Sequence, residues 1–193
     1  MKHVHFEFAN FYDKEFFDYF YAETFGFYDS LGINEQEIDN LIQYIRTGEL
    51  THLSDSKPTL TNSVFAINDL LKLMKGQLSR LHFHSLFVHA ICSNKDWETP
   101  TIAVANSVLI ASMKACLSTD IQSTDILIQD EPFKIFPDSE QVSFTKEKPI
   151  VEWNYGDYQC AISPVPVCRH PKETAGIGDN ISGMGLAYHR LRK

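Results

Sequence analysis

The stretch richest in possible chemistry lies late in the chain: Thr174-Ala175-Gly176-Ile177-Gly178-Asp179-Asn180-Ile181-Ser182. It follows an apolar run, Ile162 to Cys168, that reads as a strand, and it leads into Ile181 to Arg192, which reads as a short final helix. Two glycines at a strand-to-helix turn let the backbone take positive φ and let a ligand approach the main chain closely. The free N–H groups of the following helix, with the positive end of its dipole behind them, make such a turn an anion site. A carboxylate at Asp179 repels the phosphate those amides attract, unless it accepts a proton from an attacking hydroxyl or faces a cation. The sharp reading is phosphoryl transfer. A glycine turn with Asp as helix N-cap is the plain alternative, and the short Gly-x-Gly-Asp pattern alone does not beat it.

Two further groups of polar residues need elements to carry them. His3-Val4-His5-Phe6-Glu7-Phe8-Ala9 alternates, so His3, His5 and Glu7 share one face of a strand, for which solvent is the simpler expectation than a site. Asn34 followed by Glu37 is a reciprocal capping box before Ile38, Leu41, Ile42 and Ile45, and capping alone accounts for that spacing. Arg80-Leu81-His82-Phe83-His84-Ser85-Leu86-Phe87-Val88 is a second alternating stretch with Arg80, His82 and His84 on a common face. No third soft ligand lies near in sequence, so pocket-lining or edge histidines are favoured over a metal pair.

The remaining elements frame these groups. Asp13 to Leu31 reads as an amphipathic helix with Phe16, Phe17, Phe20 and Phe27 as core aromatics, Thr47 to Thr61 as a surface loop, and Val64 to Met74 as a helix ended by Gly76. Thr99 to Leu117 reads as a buried helix with Pro100 in its first turn, and Ser118 to Lys148 as short strands. Ile150 to Trp153 and Tyr158 to Ile162 flank the hairpin signal Asn154-Tyr155-Gly156-Asp157. Strands alternating with helices predict an α/β sheet with parallel pairs, whose ligands gather beyond the carboxyl ends of the strands.

Composition bounds the rest. A chain of 193 residues with 44% hydrophobic and 22% charged residues fits one soluble globular domain, spanning residues 1–193. A net charge of -8 gives no footprint for nucleic acid or an anionic membrane, and no apolar run is long enough to span a bilayer. Starting at once on strand-like sequence suggests a piece of something larger. Cys92, Cys116, Cys160 and Cys168 lack zinc-site spacing, so four neutral thiols are expected, with Cys116–Cys168 the first guess for a single disulfide. A dinucleotide-binding fold is disfavoured because the glycine turn sits near the C-terminus, and a membrane protease using Gly-x-Gly-Asp because no transmembrane run exists.

Taken together, His5-Phe6-Glu7-Phe8-Ala9, Ser30 through Glu37 and Thr174 through Ser182 resemble the HxE strand, NxxE segment and GxGD turn of the ADP-dependent glucokinases, which are ribokinase-like kinases. Arg80 to Ser85 and Lys148-Pro149-Ile150-Val151-Glu152-Trp153 also look like their counterparts, and the likeness runs over nearly the whole chain, closer to the animal than the archaeal form. Ala175 and Ile177 depart from the family's more frequent residues without disturbing the turn.

The resemblance implies a ribokinase-like, mostly parallel sheet flanked by helices and incomplete at its N-terminal side. It implies transfer of the β-phosphate of ADP to the 6-hydroxyl of glucose, giving glucose 6-phosphate and AMP. By the same carry-over Asp179 is the catalytic base, and the amides of Gly176, Ile177 and Gly178 hold the migrating phosphoryl group. Glu7 and Glu37, with Asp179, hold Mg2+; the Arg80 to Ser85 strand lies toward the adenine. The sugar-contacting residues and lid of the family precede the matching part, so this missing N-terminal part is an expected partner for activity; a shortened, catalytically incompetent family member that only binds adenine nucleotide or a protein partner is the alternative. If like animal members, it resides in the endoplasmic reticulum or is secreted.

Overall fold

The computed structural model describes residues 4–9, 11, 13–50, 59–129, 131–173 and 176–192. In chain order its elements are β1 (His5–Glu7), α1 (Lys14–Thr24), β2 (Ser30–Asn34), α2 (Glu35–Thr47), α3 (Leu60–Leu73), β3 (Arg80–His84), β4 (Val88–Ser93) and α4 (Thr101–Cys116). There follow β5 (Ile126–Leu127), β6 (Phe133–Lys134), β7 (Gln141–Val142), β8 (Val151–Tyr155), β9 (Tyr158–Pro164), β10 (Val167–Cys168) and α5 (Ile177–Ala187). Six strands form one sheet in the order β1-β2-β3-β4-β9-β8. Parallel pairing joins β1, β2 and β3, and the sheet continues antiparallel through β4, β9 and β8. Two small ribbons, β10-β5 and β6-β7, lie outside it.

Because side chains alternate across a strand, register decides what each face carries. Leu31, Ile33, Leu81, Phe83, Ala90 and Cys92 point into the main core, together with Ile38 and Leu41 of α2 and Val64, Ile67 and Leu71 of α3. The amphipathic pattern of α2 puts its apolar stripe there, and the capping box read from Asn34 and Glu37 is formed at its start. The opposite face carries His5, Glu7, Ser30, Gly32, Arg80, His82, His84, His89 and Ser93, which occupy matching register positions on four adjacent strands. This polar face is not solvated, contrary to the simpler expectation for His5 and Glu7. Helix α5 lies over it, Arg80, His82 and His89 are fully buried, and His5 and Glu7 are half-buried.

Several boundaries differ from the sequence reading, each for a physical reason. The first helix stops at Thr24, followed by a turn of 3₁₀ helix at Phe25–Phe27, and Ser30–Asn34 is a strand, because Leu31 and Ile33 alternate into the core. Of the aromatics assigned to that helix, Phe17 is buried and Phe20 packs on the core, but Phe16 and Phe27 are exposed. The stretch from Arg80 to Val88 is two strands, not one, since Ser85 and Val88 close a tight turn through Ser85 N donating to Val88 O at 2.9 Å. Helix α3 starts at Leu60, capped by Thr59, within the stretch expected to be loop; residues 51–58 of that loop, like His3, Thr174 and Ala175, lie outside the described residues. The final helix begins at Ile177, so Asp179 lies inside its first turn. The hairpin at Asn154 to Asp157 forms as read, with Gly156 at φ 56°.

The four cysteines form two disulfides, Cys116–Cys168 as guessed and Cys92–Cys160 besides, so free thiols are not their state. Cys92 and Cys160 stand directly opposite one another on β4 and β9.

Candidate active site

The carboxyl ends of the three parallel strands present Glu7, Asn34 and His84, and the N-terminus of α5 comes down beside them. Such a crevice is where open α/β sheets place their ligands. Gly176 takes φ 67° as N-cap of α5 and supplies no side-chain cap, as a glycine must, so Asp179 is not the N-cap of the plain alternative. Asn180 uses its amide group to bond the Gly176 carbonyl at 2.6 Å, and its backbone N–H bonds the same oxygen at 3.2 Å. The N–H groups of Ile177, Gly178 and Asp179 precede the first intrahelical bond, and they are the donors a helix N-terminus leaves for an anion. The Asp179 side chain is exposed in that first turn.

Glu7 reaches the same place from β1. Its Oε1 accepts a hydrogen bond from His84 Nε2 at 2.7 Å, its Oε2 accepts one from Ser182 Oγ, and His5 Nε2 stands 3.6 Å from Oε2. Burial works against ionisation here, but His5, His84 and Ser182 outweigh it and hold the carboxyl at about 2. The approach needs Gly32: a Cβ there would overlap the Glu7 carboxylate and stand 2.9 Å from Ser182 Oγ. Gly32→Ala is therefore expected to lower the unfolding free energy by about 2–3 kcal/mol, through overpacking against a carboxylate that cannot retreat. Chemical denaturation measures this, and a variant as stable as the wild type would show that Glu7 does not cross Gly32.

Glu37 is held differently. Its Oε2 accepts from Asn34 N at 2.9 Å, while Asn34 Oδ1 accepts from Gln36 N and Glu37 N at 3.0 Å each. Burial pushes its carboxyl up to about 7, against the Asn34 amide and His84, which favour the charged form; Glu7 and Glu35 repel it. Glu7, Glu37 and His84 are thus within electrostatic reach of one another. Among the described residues no three His, Cys, Asp or Glu side chains converge as a ready metal-binding group. The donor chemistry still suits a hard cation: magnesium keeps several waters and takes one or two carboxylates, and a buried carboxyl that resists ionisation gains most from a nearby positive charge.

Sequence reasoning missed His84, Ser182 and Gly32. His84 bonds Glu7 and lies beneath Gly178, where a Cβ would be 3.8 Å from its Cε1. Ser182 carries one available signal, its position three residues after Asp179 on a helix; nothing local links it to Glu7.

Comparison with known proteins gives one consistent answer. The profile described as the ADP-specific phosphofructokinase/glucokinase conserved region matches residues 2–188. The chain is 29% identical to ADP-dependent glucokinase of Bos taurus, covering 97% of this chain and 40% of that protein. It is 30% identical to the probable ADP-dependent glucokinase of Caenorhabditis elegans, covering 97% and 41%. It thus spans about 40% of the length of these relatives. A hypothetical ADP-dependent phosphofructokinase from Pyrococcus horikoshii superposes with a TM-score of 0.62 at 16% identity, over 95% of this chain and 41% of the other, which shows a shared ribokinase-like fold.

Proposed function

The chain belongs to the ADP-specific phosphofructokinase/glucokinase family, and on that premise we propose that it carries the phosphate, cation and base half of an ADP-dependent glucokinase site. The reaction is transfer of the β-phosphate of ADP to the 6-hydroxyl of glucose, giving glucose 6-phosphate and AMP. The observation that supports it best is the meeting of the α5 N-terminus, bearing Asp179, with Glu7 and His84 at the carboxyl ends of parallel strands. Phosphoryl transfer asks the protein for positioning and charge stabilisation more than for covalent chemistry, and these residues offer both.

In this reading the amides of Gly176, Ile177 and Gly178 receive the charge that grows on the transferring group. Asp179, exposed at the helix mouth, takes the proton of the attacking hydroxyl. Glu37 and Glu7 hold Mg2+, directly or through water, and the ion when bound neutralises charge on the phosphates. Glucose selectivity is drawn from the two glucokinase relatives, which share 29% and 30% identity with this chain; the N-terminal part of such relatives, beyond the matched share, is the partner expected to complete the acceptor side. No helix among the described residues is long and apolar enough to cross a membrane.

Calorimetric titration with ADP and Mg2+, run beside a coupled glucose 6-phosphate assay, tests the proposal. Saturable Mg2+-dependent ADP binding is expected, and its absence overturns the reading. Product formation by these 193 residues excludes the alternative of a chain that only binds nucleotide.

A further inference from the structure

Helix α5 rests on two unlike seats. Toward α4 it is apolar, with Ile181 among Val108, Ala111 and Val165. Toward the sheet it meets the buried polar face, and glycines on both sides allow the approach: Gly32 makes room for Glu7 and Ser182, while a Cβ at Gly185 would come within 2.7 Å of His82 Cε1 and 3.2 Å of Arg80 Nη2. In the middle of this seat both ring nitrogens of His82 and Nη2 of Arg80 are buried with no hydrogen-bond partner among the described residues. The ties lie at two places. Near the start of the helix, Ser182 donates to Glu7, whose other oxygen accepts from His84. Just past its end, Arg80 Nε donates to His189 Nδ1 at 3.0 Å, and His189 Nε2 donates to the Glu98 carbonyl at 2.9 Å. A chain joins the two: Arg80 Nη1 to Ser30 Oγ at 3.3 Å, Ser30 Oγ to His5 Nδ1 at 2.9 Å, and His5 beside Glu7.

We infer that His84, Ser182 and Arg80 are positioning residues that set the register of α5 on the sheet through Glu7 and His189, and thereby fix where Asp179 and the amides of Ile177 and Gly178 stand. A contact of aliphatic side chains tolerates a slide, whereas directional bonds to a carboxylate with both oxygens engaged do not. A slip of one residue moves a helix by about 1.5 Å and turns it by about 100°. Displacements near 1 Å at a reacting group cost about 100-fold in rate. Glu7 is thus first an anchored post for α5, with any cation contact made by the lone pairs that His84 and Ser182 leave free.

The inference rests on the kinase reading only for what α5 carries, and the test separates them. Amide hydrogen exchange is followed in the 193-residue chain for wild type, Ser182→Ala, His84→Ala and His84→Gln, whose side-chain amide keeps a donor near the place of Nε2. Exchange over residues 180–187, the amides that are bonded within α5, is expected to quicken about tenfold in the two alanine variants, as loss of a hydrogen bond to a charged group implies, and to stay within about twofold of wild type in His84→Gln. The β8–β9 hairpin is expected to be unaffected. Unchanged exchange in α5 for both alanine variants overturns the inference, as does an equal quickening in the hairpin, or a His84→Gln variant as fast as His84→Ala. ADP titration of the same proteins judges the link to the site. Weaker Mg2+·ADP binding in both alanine variants supports it, and affinities equal to wild type with faster α5 exchange overturn it. A wild type that binds no ADP ends the kinase reading while the exchange result still decides the clamp.

Discussion

Asp179→Asn is expected to reduce glucose 6-phosphate formation by about 10²- to 10⁴-fold, the usual contribution of a positioned general base, while binding ADP at least as tightly as the wild type. The two effects oppose each other for one reason. The carboxylate stands in the first turn of α5, beside the N–H groups that would receive phosphate. Its charge opposes the anion in the ground state and is useful only when the acceptor hydroxyl gives up its proton. The side chain is exposed, so the amide is accommodated with a stability change within about 0.5 kcal/mol. Turnover and ADP titration on the two proteins decide the matter: unchanged turnover ends the role of Asp179 as base, and weakened ADP binding with unchanged turnover would make it a ligand-positioning group instead.

What could be read from the chain depended on how local the cause was. The Asn34–Glu37 box, the Gly156 hairpin and the Gly176 bend each rest on a few neighbouring residues whose chemistry admits few conformations, and each forms. Strand β2 was hidden because five residues with a central glycine resemble a turn, and only burial of Leu31 and Ile33 makes them a strand. The start of α5 was set too late for a similar reason: glycines at 178, 183 and 185 lower helix propensity, yet packing on α4 and the polar strand face holds them helical.

The candidate site shows the same division. Alternation correctly gathered His5 with Glu7 and Arg80 with His82 and His84, but periodicity carries no information on whether a polar face meets water or another element. Here a late helix covers it. The bond from Ser182 to Glu7 joins residues 175 positions apart, and the Cys92–Cys160 pair needs the β4–β9 register; neither has a local signature. The family resemblance names Glu7, Glu37 and Asp179 as a group, and it gives no role in holding Glu7 to His84 and Ser182, which bond it.

Glu37 allows a prediction in which the sign matters. Burial raises its folded pKa from an ordinary 4.5 to about 7, so between these values the folded chain keeps a proton that the unfolded chain has lost. Stability falls with rising pH wherever the folded state binds more protons. The contribution of Glu37 is therefore fully present below pH 4.5 and lost as pH rises through 7, a swing of about 3 kcal/mol at 1.36 kcal/mol per unit. The wild-type curve alone does not isolate it. His82, His89 and His189 are held below their ordinary range by burial, and such bases make the fold less stable as pH falls through about 6.5. The difference between wild type and Glu37→Gln removes those terms, because Gln at this position keeps the capping box and loses only the titration. In metal-free buffer Glu37→Gln is expected to gain on the wild type by about 3 kcal/mol between pH 4.5 and 8. Adding Mg2+ at pH 8 then restores the wild type, since a cation beside the ionised carboxyl offsets its burial, and shifts Glu37→Gln less. Urea denaturation across pH, with and without Mg2+, reads both effects. A flat difference curve would show that Glu37 ionises normally in the fold, and equal Mg2+ shifts in the two proteins would remove it from the cation site.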